Sequence, residues 1–419
     1  MLRVPTDPRP DWPRIVESQG LTFHSIDGQP YWDESAYYLF EAGEIDSIEQ
    51  ATSQLDAMCL QAVEHVISRK RLGEFDIPEP FHRFVEESWE RDEQSIYGRF
   101  DLVFDGTGPP RLLEYNADTP TSLLESSVIQ WFWSRDLLEP LGDLERANFD
   151  QFNSTHERLI EAWGRIGREL GPRVTFGAIE SSVEDVMTIT YLRDVATQAG
   201  LATQPIDVEG IGWDDRRRVF TDLRERPIEI LFKLYPWEWM LREPFGRNLP
   251  NAPTRWLEPP WKMILSNKAI LVVLSELFPE SPYLLHADFA PKGPTHVSKP
   301  FYSREGANVS IVEEGVTIAE TGGDYGEGRR IYQEFRELPD FGGVFPVIGS
   351  WMVNGNACGL GIREDDGPIT RNSSRFLPHI FRKSPHLKPP TMQSRKSSRS
   401  TIAGSTGRDD PLWDPWIDR

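Results

Sequence analysis

The chain has 419 residues, of which 38% are hydrophobic and 11% aromatic; this is enough apolar side chain for a substantial core and too much for global disorder. Its formal net charge of −21 argues against a general nucleic-acid binder, because neutralising phosphates needs clustered Lys and Arg. Two distant cysteines, Cys59 and Cys358, cannot staple the chain. No apolar run approaches bilayer length and the N-terminus lacks a secretory signal core, so a soluble protein of the reducing cytoplasm, with no membrane partner, is expected.

Residues 49–70 carry Leu55, Met58, Val63, Val66 and Ile67 near helical spacing and predict an amphipathic helix. YGRFDLVF (97–104) and RLLEYN (111–116) predict two strands around the turn-rich DGTGPP, and a helix is expected after Pro120. A second amphipathic helix is predicted over 150–170, with Gly171 as its stop. VTFGAI (173–178), a helix capped by Ser182 and ended by Gly200, and IEILFKLY (228–235) alternate as strand, helix and strand, which predicts a parallel α/β lobe over about 173–260. From 262 the pattern changes to a helix at 267–277 and short strands between Gly-rich turns, a mainly antiparallel lobe to about 340. Residues 382–400 hold six Lys or Arg and no acidic residue, and 382–419 is predicted to be a disordered basic tail.

The early hairpin carries the first candidate site. Arg99 and Asp101 share one face of their strand, as do Glu114 and Asn116 on theirs. If 101 pairs with 114 and 99 with 116, all four side chains are neighbours. Two carboxylates and an amide oxygen suit Mg2+, and the planar fork of Arg99 suits a phosphate or carboxylate. A surface hairpin of alternating polar residues, with Arg99 merely neutralising Asp101, has the same pattern, and a slip of one residue would separate the pairs.

Downstream, Lys299 lies on the strand THVSKPF beside the loop YSREGANVS, where Gly306 permits close backbone approach to a phosphate. Lys268 at a helix start is a second phosphate-directed cation. Each lysine also fits a solvated surface charge, and no P-loop motif is present. Gln333 and Glu334 in IYQEFREL are placed to hydrogen-bond an adenine amino group. Arg363, near the NG turn at 354–355, is placed to stabilise an oxyanion or acyl phosphate, or to pair with Glu364 or Asp365.

GRFDLVF, LLEYNADTPTSLLE, KLYPWEW, WKMILSNKAILVVLSELFPESPYLL, VSKPFYSREGANVSI, YQEFREL and PVIGSWMVNGNACGLGIREDD, in that order, resemble the synthetase domain of the glutathionylspermidine synthase family over roughly residues 10–381. The resemblance implies an α/β (α+β) fold, ATP-grasp-like with a permuted chain order, in which metal ligands precede the nucleotide lysines. It implies Asp101, Glu114 and Asn116 as Mg2+ ligands, Arg99 and Arg363 as catalytic arginines, Lys268 and Lys299 as ATP contacts, and Ser122 near the acyl substrate. The implied activity is ATP-dependent ligation of a small-molecule or peptide carboxylate to an amine, a polyamine among the candidates. The alternative is a catalytically inactive nucleotide-binding module. The chain starts almost directly with the synthetase-like region, and neither cysteine has an amidase context, so no thiol amidase activity is expected.

Overall fold

Strand–helix alternation over 173–257 builds a four-stranded parallel sheet in the computed structural model, which describes residues 1–26, 28–383 and 389. Its order is Arg255–Leu257, Ile230–Lys233, Arg173–Ala178, Ala202–Asp207. The helix Val183–Gln198 crosses between the last two strands; its start is fixed by Ser182, whose hydroxyl accepts from the Asp185 N–H. The carboxyl ends of these strands face the remainder of the molecule through a buried ion pair, Lys233 Nζ to Asp118 Oδ1 at 2.5 Å.

A five-stranded antiparallel sheet occupies the centre, ordered Arg375–Leu377, Asn356–Asp365, Phe345–Val353, Tyr97–Val103, Arg111–Asn116. The long hairpin 345–365 turns at Asn354 and Gly355, both with positive φ, as the NG signal requires. The helix Ala42–Ser68 packs beneath this sheet through Ile48, Leu55, Cys59 and Val63, and Thr52 Oγ1 meets Ser350 Oγ at 2.6 Å. It starts earlier than the expected residue 49, because a capping box between Glu41 and Glu44 satisfies its first N–H groups. A second antiparallel sheet holds the strands Ala287–Asp288, Arg330–Gln333, His296–Pro300, Ser310–Glu313 and Val316–Glu320, in that order.

Two expectations are corrected and one gains detail. The helix predicted at 267–277 starts at Ile270, and the turn after Lys262–Leu265 carries Lys268. The helix expected after Pro120 forms from Leu123, with a π-helical stretch, Glu125–Ile129, before Gln130–Leu138. Arg382 belongs to a strand, His379–Arg382, and not to a tail: it pairs in parallel with Ala36–Glu41, and its guanidinium meets Glu41 at 2.5 Å. Residues 384–388 and 390–419 of the expected tail lie outside the described residues. Among those residues no helix is long and apolar enough to cross a membrane.

Candidate active site

In the early hairpin Arg99 pairs with Asn116 and Asp101 with Glu114, the register expected from alternation, and a bulge follows at 101/102. The Arg99 guanidinium grips Asp101 twice, Nε to Oδ1 at 2.7 Å and Nη2 to Oδ2 at 3.1 Å, and Nη1 donates to Thr121 O at 2.9 Å and Ser122 Oγ at 3.0 Å. Gly349, opposite Asp101 on the next strand, makes room: a Cβ there would lie 2.7 Å from Arg99 Cδ. On the reverse face, Tyr115 stacks on Phe100 with centroids 3.8 Å apart and covers Gly98, which locks the register from below.

The two lysines close the other side. Lys268 Nζ reaches Glu114 Oε2 at 3.0 Å and donates to Ser303 O at 2.6 Å. Lys299 Nζ donates to Leu113 O at 2.9 Å and Gln333 Oε1 at 2.7 Å, and Gln333 Nε2 donates to Leu112 O at 3.0 Å. Both lysines are buried, so neither is a solvated surface charge. Burial pushes Lys299 down to about 8, with Lys268 adding to the fall and Glu114 opposing it. Burial alone would raise Glu114, but Lys268 and Lys299 hold its carboxyl down to about 2, so it is an anion at any ordinary pH.

Asn116 Nδ2 lies 3.0 Å from Asp101 Oδ2 and 3.4 Å from Glu114 Oε1, so the three side chains converge. No group of three His, Cys, Asp or Glu with metal-site geometry occurs among the described residues. The candidate set is two carboxylates and one amide, whose oxygen takes the place of its nitrogen on a half-turn of the side chain. Such hard oxygens fit Mg2+.

Other expected residues are placed differently. Gln333 spends its amide on Lys299 and Leu112, while Glu334, just past the strand, is exposed and its carboxylate accepts from the His286 N–H at 3.4 Å. The tight approach that requires Gly306 is to the chain itself: its φ is +69°, and a Cβ would overlap the carbonyl oxygen of Thr370. Arg363 pairs with neither neighbouring carboxylate. Glu364 is taken by Arg3 and Tyr38, and Asp365 by Arg371, while Arg363 lies 5.4 Å over the Phe376 ring and donates to Arg371 O at 2.6 Å. Ser122 has a positive φ of 67°, a strained conformation that holds its hydroxyl on Arg99.

Several further charged groups lie on the segments that build the site. Arg304, in YSREG, donates to Thr119 Oγ1 at 2.6 Å and pairs with Glu238 of KLYPWEW at 2.9 Å. Burial, with Glu184, raises the carboxyl of Glu305, while Arg363, Arg304 and Arg99 oppose the rise. Glu125, only 2% exposed, accepts from Tyr31 OH at 2.9 Å, and burial pushes it up to about 7. It sits in the π-helical segment three residues beyond Ser122, and such segments are frequent at functional sites.

A mixed α/β chain with this cluster is comparable in fold to a glutathione synthetase-like effector from Globodera pallida, at a TM-score of 0.50 over 88% of this chain and 98% of that one, with 11% identity. In sequence it is 40% identical over 399 residues to a Haemophilus influenzae protein whose name assigns it provisionally to the acid–amine ligases, covering 91% of this chain and 100% of that one. The Escherichia coli bifunctional glutathionylspermidine synthetase/amidase is 26% identical over 375 residues, 82% of this chain, and the chain spans 59% of its length. The class is thus that of the acid–amine ligases. Residues 3–382 match the glutathionylspermidine synthase preATP-grasp family, and the chain belongs to that family.

Proposed function

We propose that the chain joins a carboxylate to an amine with ATP and Mg2+, through an acyl phosphate, in the cytoplasm. The observation that supports this best is the meeting of Arg99, Asp101, Glu114 and Asn116 from the early hairpin with Lys268 and Lys299 from the second half of the chain. Asp101, Glu114 and Asn116 would hold the metal, which when bound offsets charge on the transferring phosphoryl group. Lys268 and Lys299 hold the nucleotide phosphates. Arg99, with Ser122 beside it, orients the substrate carboxylate toward the γ-phosphoryl group, and Arg363 faces the acyl phosphate oxygens. The carboxylate oxygen attacks phosphorus and ADP leaves. The neutral amine then attacks the acyl carbon, the bond from that carbon to the bridging oxygen breaks, and phosphate leaves with the oxygen and its electron pair while the nitrogen gives up one proton, which the departing phosphate accepts. Fixed cations in a buried site supply the electrostatic part without reorganisation. The lobe at about 262–340 takes the nucleotide-binding role in this reading, beside the α/β lobe at about 173–260.

A substrate panel assayed together for ADP, phosphate and amide tests it. Amine-dependent ADP release with a new amide is the expected result. ATP binding without turnover across the panel indicates a binding module, and a phosphorylated product without amide indicates a kinase; either overturns the proposal.

A further inference from the structure

In the four-stranded parallel sheet the chain runs from Arg173–Ala178 outward to Ala202–Asp207 and then returns to Ile230–Lys233 on the other side. Open α/β sheets take ligands outside the carboxyl ends of their strands at such a reversal. A cavity of about 400 Å³ lies there, and Ile179, Val208 and Tyr235 in its lining each follow one of these three strands. Its inner wall is apolar: Phe220, Leu231 and Trp256 are at most 4% exposed, and Phe220 stands edge-on to Trp256 at 5.3 Å. Trp256 Nε1 is buried without an acceptor. The mouth carries Glu209, Glu243 and Phe245, all exposed. Neither carboxylate meets a cation among the described residues; Glu243 accepts from Tyr235 OH at 2.6 Å. Lys233, the cation of the wall, is spent on Asp118. An apolar chamber with an unspent donor inside and two carboxylates at its entrance suits a molecule with an apolar body, an acceptor at one end and a cation at the other.

We propose that this cavity is an effector site for a hydroxylated arylalkyl monoamine, its ring against Phe220 and Trp256, its ring oxygen on Trp256 Nε1 and its ammonium at Glu209 and Glu243. The ligand stays apart from the reacting atoms, because Lys233 and Asp118, each with a side chain 1% exposed, close the wall toward the early hairpin. It acts through that wall. Asp118 lies two residues beyond Asn116; its second oxygen accepts from the Trp237 N–H at 3.0 Å, and Lys233 Nζ lies 4.4 Å over the Trp237 ring. Thr119, next in the chain, takes Arg304. A ligand that moves Lys233 therefore moves Asp118, and with it the end of the strand that carries Asn116. The binding chemistry stands independently of the ligase reading; the effect on Mg-ATP rests on that reading for the role of Asn116.

Three probes test it by calorimetry on the intact chain without nucleotide: tyramine, tyrosol, in which a hydroxyl replaces the ammonium, and 2-phenylethylamine, which lacks the ring hydroxyl. Tyramine is expected to bind about fivefold more tightly than tyrosol, the weight of an ammonium on two exposed carboxylates, and more tightly than 2-phenylethylamine. Glu209→Gln together with Glu243→Gln should erase the advantage over tyrosol while tyrosol still binds. Ile211→Trp, at a half-buried position in the wall, should block all three by filling the cavity. Saturating tyramine should change the Kd of Mg-ATP by about fivefold, and Mg-ATP should change that of tyramine by the same factor. Lys233→Met should abolish this coupling while tyramine still binds, and Asp118→Asn, which keeps the shape of the side chain, reads the same link should Lys233→Met not fold. Equal affinity for tyramine and either analogue, binding that survives Ile211→Trp, or a Kd of Mg-ATP indifferent to tyramine overturns the proposal. So does tyramine that enters an amide product and ceases to do so in the Glu209 and Glu243 double variant, since the cavity would then hold the reacting amine. Failure of the ligase reading alone leaves the calorimetric preference for tyramine in place.

Discussion

The ammonium group of Lys268 stands 3.0 Å from the carboxylate of Glu114, although the two residues lie on separate sheets' worth of chain, one on the early hairpin and one on the turn before Ile270–Leu277. Each is largely withdrawn from water, so each depends on the other. A double-mutant cycle of Lys268→Met and Glu114→Gln, read by urea unfolding, should show a coupling of about 1 kcal/mol or more. Additive losses would mean that the pair does not hold the two lobes together.

Asp101→Ala or Glu114→Ala should lower Mg-ATP-dependent turnover by at least about a hundredfold while the far-ultraviolet circular dichroism spectrum stays unchanged, because the hairpin is fixed from its other face by Tyr115 and Phe100. Normal turnover in both variants would remove them from the metal site.

Lys299, held down to about 8, loses its proton in the free protein well before an exposed lysine does. Its folded value lies below that of the unfolded chain, so between pH 8 and the ordinary lysine range the unfolded chain binds more protons, and stability rises with pH across that window. Polyphosphate favours the ammonium form. ATP binding at pH 9 should therefore take up a proton, seen as a dependence of calorimetric heat on buffer ionisation enthalpy, and Lys299→Met should abolish it.

Glu125 has the opposite sign. Its folded value, about 7, lies above that of an exposed glutamate, so the stability it contributes is full below about pH 4.5 and is lost as pH rises through 7. Glu125→Gln cannot ionise. Relative to the parent chain, it should gain stability between pH 5 and pH 8, by at most about 3 kcal/mol at 1.36 kcal/mol per unit. Parallel denaturation curves at the two pH values would check this, and a constant difference would show that Glu125 titrates normally.

Gly306→Ala should cost about 1 kcal/mol or more and raise the KM for ATP, since a methyl group meets the Thr370 carbonyl and must adopt a positive φ. Thermal unfolding together with nucleotide titration separates the two effects.

The sequence carried the hairpin well because period-two alternation of Arg99, Asp101, Glu114 and Asn116 depends only on local geometry, and the observed register follows it. Strand–helix alternation likewise foretold the parallel sheet. What it did not carry is side-chain partnership across distant segments. Nothing local says that Gln333 spends its amide on Lys299, that Gly306 makes room for Thr370, or that Arg363 turns from Glu364 toward Phe376. The buried pair of Lys233 and Asp118 lay inside two quoted motifs, yet only the fold brings them together. Glu125 was hidden for a different reason: its perturbation comes from burial in a π-helical segment, which no hydrophobic period reveals.

The strand His379–Arg382 lies between Ala36–Glu41 and Phe149–Asp150. During synthesis the ribosome releases the early hairpin long before this strand and before Phe345–Val353, the strand of the late hairpin that pairs with Tyr97–Val103. The hairpin carrying Asp101 and Glu114 must therefore wait, with one edge unpaired, until that strand has emerged. Assembly of the site is thus timed by the arrival of that strand rather than by the order in which the hairpin's own residues are made.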